Sequence, residues 1–305
     1  MCLNVRSIPV SCTRRAAGQE ETARVGIQSA KMRGSWLLVG AAGAALLSLA
    51  VLPSPAQAPY KAPKTKDGKP NLNGIWQANN EANWDIRPHA AYAGPVYTLG
   101  AAYSTPAGLG VVEGGEIPYK PEAAAKQKEN FTNRLKLDPE IKCYMGGVPR
   151  STYMPYPFQI IQGTGHIMIA YEYAGAVRDI NMGAPTKAPA DSWMGWSNGH
   201  WEGESLVVDV TSLNDSTWFD RAGNWHSDAL HVIERYTAIG PDALQYEATI
   251  DDPKVFTRQW KMSMPLYRRL EKNAQLLEYK CVEFAEEVLY GHLRKQPLQG
   301  KGDSK

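Results

Sequence analysis

Seven side chains that can carry charge or move protons fall within sixteen positions of this sequence: Asp220, Arg221, His226, Asp228, His231, Glu234 and Arg235. Histidine changes charge near neutral pH, so His226 could serve as a general base or acid if Asp220 or Asp228 orients one ring nitrogen. Arg235 would then stabilise developing negative charge. That set fits isomerisation, dehydration or hydrolysis of a small molecule. The same residues also suit a structural clamp, with Asp220 and Arg221 bridging backbone groups and His226 satisfied by a carbonyl. His226, His231 and Glu234 additionally offer ligands to a divalent ion, but their spacing is no recognised metal signature. In an extended strand His231 and Glu234 point to opposite faces unless a bulge intervenes. No cofactor is predicted.

Other chemistry-bearing patterns are weaker. Gly195-Trp-Ser-Asn-Gly199 matches G-x-S-x-G, yet a nucleophile elbow needs a strand before it and a helix after it, and neither flank of Ser197 supplies one. Among nine tryptophans and fifteen tyrosines, Trp196, Trp201, Trp218 and Trp225 lie close in sequence and could line a pocket for an apolar or sugar-like ligand. Core packing accounts for others. Asp251, Asp252 and Glu278 are further carboxylates, but paired-acid chemistry needs a separation that spacing alone does not give.

The elements that would position these groups are mostly strands. Short β-branched or aromatic runs at 158–162, 167–173, 176–182, 205–210, 230–237, 244–250, 256–262 and 275–281 follow an opening run at 72–77. Gly163-Thr-Gly165, Asn198 to Gly203 and Gly240-Pro-Asp242 supply turn residues between them. Sequential hairpins predict a mainly β fold, an antiparallel meander of eight to nine strands, with a calycin- or lipocalin-like barrel favoured over a sandwich. One helix is predicted over 121–130, opened by Pro121 and ending before Asp138-Pro139. Residues 79–118 show no sustained period and read as an irregular wrap or a mobile loop.

Lys142-Cys-Tyr-Met-Gly-Gly-Val-Pro-Arg150, Gly199 to Asp209 and Trp218 to Arg235, with Asp252-Pro253 and Glu278-Tyr-Lys-Cys281, resemble a family of exported bacterial proteins without an assigned activity. The likeness spans nearly all of 70–285. It implies export and supports the cysteine pair, and it supplies no catalytic residues.

The front of the chain reads as a leader. Residues 35–52 carry no charge, Lys31 and Arg33 precede them, and small residues and prolines follow, the order of a secretory signal peptide. Cleavage is expected after Ala56, with Ala58 the second choice and an uncleaved anchor over 35–52 the alternative. Residues 1–31 read as an extension before Met32, 57–70 as a linker, 71–290 as a single β domain and 291–305 as a polar tail. Six of the 33 Lys/Arg and two of the 31 Asp/Glu precede residue 57, leaving 27 basic and 29 acidic residues. A near-neutral domain without a basic stripe excludes nucleic acid as a partner. Cys143 and Cys281 remain as one pair in an oxidising compartment and are expected to bond, the alternative being two separate buried thiols. The function expected is thus an exported small-molecule enzyme, or alternatively a non-catalytic binding protein for an apolar or sugar-like ligand; the pattern specifies no oligomeric state.

Overall fold

A computed structural model describes residues 60–294. The expected leader (1–31 and 32–56) and most of the polar tail, 295–305, lie outside the described residues. Nine strands close into a barrel: β1 (Gly74–Ala78), β2 (Phe158–Gln162), β3 (His166–Tyr171), β4 (Val177–Asn181), β5 (Trp196–Glu202), β6 (Ser205–Thr211), β7 (His231–Gly240), β8 (Ala243–Asp251) and β9 (Trp260–Arg268). The ring closes where Trp76 of β1 pairs with Arg268 of β9. Every neighbouring pair is antiparallel except β4 and β5, which run parallel through Ile180↔Ser197 and Asn181↔Asn198. An odd ring cannot alternate direction all the way round, so the predicted meander must break once. The long segment 182–195 supplies the crossover that a parallel pair requires.

The strand expectations need three corrections. The Asn198 to Gly203 turn is mostly β5, and its glycine is there for space: a Cβ on Gly199 would meet Ile180 Cγ2 and Met182 Sδ at 2.6 Å. The run at 256–262 starts late, because Asp252 draws Val255 and Phe256 into a turn through its carbonyl. Residues 275–281 form no strand: β1 and β9 already pair with each other, so the barrel offers no edge to join. The linker segment is also tied down, with a turn at Thr65–Lys69, a Lys64↔Pro70 bridge and Ala62 buried.

Alternation fills the interior. Trp76, Phe158, Ile160, Ile169, Leu206, Val208, Val232, Met262 and Met264 are buried and form one cluster. On β7, residues 232, 234 and 236 are buried while 231, 233 and 235 are not, as period two demands.

Directions round the ring place the long connections together. β1, β3, β6 and β8 end, and β2, β4, β5, β7 and β9 begin, at one mouth. From that mouth come 79–157, which holds the irregular wrap and helices α1 (Pro121–Thr132), α2 (Arg134–Leu137) and α3 (Arg150–Tyr153), and also 212–230 and 252–259. Helix α1 begins at Pro121 as predicted and buries Ala123, Gln127 and Asn130 on one face. After β9 the chain returns along the outside of the barrel. The Arg269 N–H donates to the Ile75 carbonyl, the Leu277 N–H donates to Glu172, and the Tyr279 ring lies 4.9 Å from those of Tyr156 and Tyr173. A disulfide between Cys143 and Cys281 then fixes this strap at the mouth, and helix α4 (Ala285–Arg294) follows. Among the described residues, no helix is long and apolar enough to cross a membrane.

Candidate functional site

The charge-rich segment 218–235 does not assemble into one centre. His226 is buried, and both ring nitrogens are committed: Nδ1 lies 2.9 Å from the Ser227 carbonyl and Nε2 2.6 Å from Thr217 Oγ1. The carbonyl can only accept, so Nδ1 donates; in the neutral ring, which burial favours, Nε2 then accepts the threonine proton. Burial pushes its pKa below the ordinary histidine value. Neither Asp220 nor Asp228 orients it. Asp228 is exposed and pairs with Lys254 at 2.6 Å, and Arg235 pairs with Glu202 outside the barrel. The ion ligands separate as well: His231 bonds Asp209 at 2.9 Å outside the barrel, Glu234 points inward, and β7 carries no bulge between them. Among the described residues, no three His, Cys, Asp or Glu side chains are grouped to hold a metal.

Asp220 organises the loop. Its carboxylate accepts the N–H groups of Ile86 (2.9 Å), Ala222 (2.9 Å) and Asn224 (3.1 Å) and the Asn224 amide (2.6 Å), while that amide also donates to Asp85 at 3.2 Å. Helix α1 grips the same turn, with Gln127 donating to the Ala222 carbonyl and Asn130 to that of Gly223. At Gly223 (φ 79°) an added Cβ would press on Asn130 Cβ at 2.7 Å, so the helix can approach only a glycine. Burial, reinforced by the Asp85 charge, pushes Asp220 up to about 7. A carboxyl whose folded pKa is raised stabilises most below its unfolded value, roughly 4, and loses that contribution as pH rises through the folded value. Urea unfolding of wild type and Asp220→Asn from pH 4 to 8 should therefore show wild type losing ground to the variant toward pH 7. A difference independent of pH would contradict the assignment.

Arg221, next along, points elsewhere. Its guanidinium stacks 4.8 Å from the Trp84 ring and forks onto Glu140, with Nε–Oε2 at 2.8 Å and Nη2–Oε1 at 3.2 Å. Glu140 also receives Arg150 at 2.6 Å, and Arg150 reaches Asp138 at 3.3 Å. Burial opposes ionisation of Glu140, yet Arg221 and Arg150 outweigh it and hold the carboxyl below the usual range. Burial wins at Asp138, which is raised. Beside this network lies a cleft of about 40 Å³ lined by Trp84, Tyr92, Tyr103, Leu135 and Ile141, with Arg134, Arg221 and Glu286 among the groups that converge on it. Glu286, from the first turn of α4, closes it: its carboxylate accepts from Tyr103 Oη and lies 3.1 Å from Arg221 Nη2.

The four tryptophans expected at a mouth are dispersed. Trp196 donates to Thr186 at 3.0 Å on the outside, Trp201 packs against the core, Trp218 bridges Trp225 across the loop backbone, and Trp225 lies under Lys126 of α1. Among the described residues, no ring-to-ring contact joins any two of them.

The barrel interior holds a second polar constellation. Arg178 pairs with Glu234, and its Nε donates to Ser197 Oγ at 2.7 Å. Tyr236 and Tyr246 donate to the other Glu234 oxygen at 3.0 and 2.7 Å. Burial, then the Glu234 charge, holds both phenols well above their ordinary pKa, so they remain donors. Spacing gave Glu234 only as an ion ligand, and it missed Arg178, although the alternation Arg178, Ile180 on β4 marks that arginine as inward-facing. Compared with known proteins, the chain matches no family model and no curated protein.

Proposed function

We propose that this chain is an exported, non-catalytic binding protein that takes a small apolar or aromatic molecule in the cleft beside Arg221. The observation that carries the reading is the cleft's make-up: aromatic and aliphatic walls with a few convergent polar groups, formed where long loops meet at one barrel mouth. Ligand seats have that composition, and barrel mouths are a usual location for them; at about 40 Å³ the closed cleft is smaller than an aromatic ring needs, so binding requires it to widen. Export is supported by the leader-like order of residues 31–58 and by the cysteine pair. Resemblance to exported bacterial proteins over 70–285 agrees with it. Acid–base catalysis through His226 gains no support, because a proton-transfer residue needs a free nitrogen within reach of substrate. Both nitrogens of His226 are bonded inside the fold.

The test is a ligand-observed NMR screen of small aromatic and apolar fragments against the disulfide-intact protein and against Leu135→Trp, whose indole would fill the cleft. Wild type should yield hits that the variant loses. Hits that survive in Leu135→Trp, or no hits with wild type, would overturn the assignment.

A further inference from the structure

Glu286 occupies an unusual place. The cleft of about 40 Å³ is adjoined by a smaller cavity of about 10 Å³, and both are lined by Tyr103, Leu135, Ile141 and Glu286. The Glu286 side chain is thus one of four that face both spaces. Its carboxylate is held as a bound carboxylate would be, by the Arg221 guanidinium and the Tyr103 hydroxyl, with the Trp84 ring stacked behind the guanidinium. Arg221 is rigidly presented, since Glu140 fixes its Nε edge and Nη2 is left to serve Glu286 as well. The glutamate itself is held less firmly. It is about 29% exposed and belongs to a strap whose Leu277, Val282, Val288 and Leu289 all face solvent, so that beyond the Tyr290 ring, 5.4 Å from that of Tyr103, few apolar contacts pin α4 down.

We propose that Glu286 is an internal stand-in for the ligand's carboxylate: the cleft takes a small aromatic or apolar carboxylate, which displaces Glu286 from Arg221 and Tyr103 and widens the cleft. This rests on the binding reading above and adds the ligand's charge and the latch. The remainder of the molecule would lie along Trp84, Tyr92 and Leu135, with Arg134 at the rim. Cys143–Cys281 keeps the displaced helix tethered within reach, so the latch can reclose when the ligand leaves.

Phenylacetate and its neutral isostere phenylacetamide separate the possibilities when titrated by calorimetry into wild type, Glu286→Gln and Glu286→Ala, each checked for folding by circular dichroism. If Glu286 competes with the ligand, removing its charge strengthens phenylacetate binding about tenfold, the worth of one charge-assisted hydrogen bond, and phenylacetate binds each of the three proteins more tightly than phenylacetamide, which carries no charge for Arg221. The milder Glu286→Gln keeps the helix's hydrogen bonds should Glu286→Ala release α4 altogether. Equal binding of acid and amide to every protein would overturn the latch and leave the cleft reading standing. Failure of both compounds to bind any of the three proteins would overturn both.

Discussion

Glu234→Ala should lower the stability of the folded chain by about 3–5 kcal/mol, as should Arg178→Met, because each leaves an uncompensated charge in the middle of the barrel. Neither partner has access to water: their side chains are 1% and 0% exposed. Burial costs Arg178 its hydration, and the Glu234 charge, with smaller contributions from Tyr171 and Tyr236, more than offsets this and holds the guanidinium well above its ordinary pKa. Tyr236 and Tyr246 are aimed at the same carboxylate, so losing Glu234 also strands two phenol donors. The Arg178→Met, Glu234→Leu double variant removes both charges together and should be less destabilised than Arg178→Met or Glu234→Leu alone, in urea unfolding at pH 7. Additive losses would mean that the two side chains do not act as a pair.

Replacing Cys143 and Cys281 together by serine should cost about 2–5 kcal/mol. The bond spans 138 positions, and the entropy that a crosslink removes from the unfolded chain grows with the loop it closes. A local effect accompanies the global one. Because much of the apolar surface of the strap faces outward, the crosslink is a main restraint on α4, and amide exchange there should accelerate more than in the barrel strands. A loss under about 1 kcal/mol with unchanged exchange in α4 would show that packing alone holds the strap.

The barrel was legible because period-two alternation survives in nearly every strand, and Glu234 sits on the buried phase of β7 just as His231 sits on the exposed one. β5 escaped because its inward positions are Ser197, Gly199 and Trp201, a strand whose middle residue is a glycine demanded by Ile180 and Met182. Reading residues 275–281 as a strand failed for the opposite reason: the pattern was strand-like, but a closed ring has no edge to give it. The density of charge at 218–235 did mark an unusual segment. Spacing could not reveal that Asp220 turns inward to the loop backbone, Arg221 faces the cleft, and Asp228 and Arg235 go to the surface.

The cleft itself was nearly invisible in the sequence, since its walls come from distant segments without shared period: Trp84, Tyr92 and Tyr103 from the wrap, Leu135 and Ile141 near α2, and Glu286 from the C-terminal strap. One signal did exist. Cys143 stands two residues after Ile141 and Cys281 five before Glu286, so pairing the cysteines already brings those two walls together.

The central claim, a ligand seat at the mouth beside Arg221, is tested most directly by crystals of the disulfide-intact protein grown with 3-bromophenylacetate and measured at the bromine edge. The anomalous peak should fall between Trp84, Tyr92 and Leu135, with the ligand's carboxylate on Arg221 and Glu286 swung away. A peak elsewhere on the molecule, or none with Glu286 still bonded to Arg221, would contradict the account.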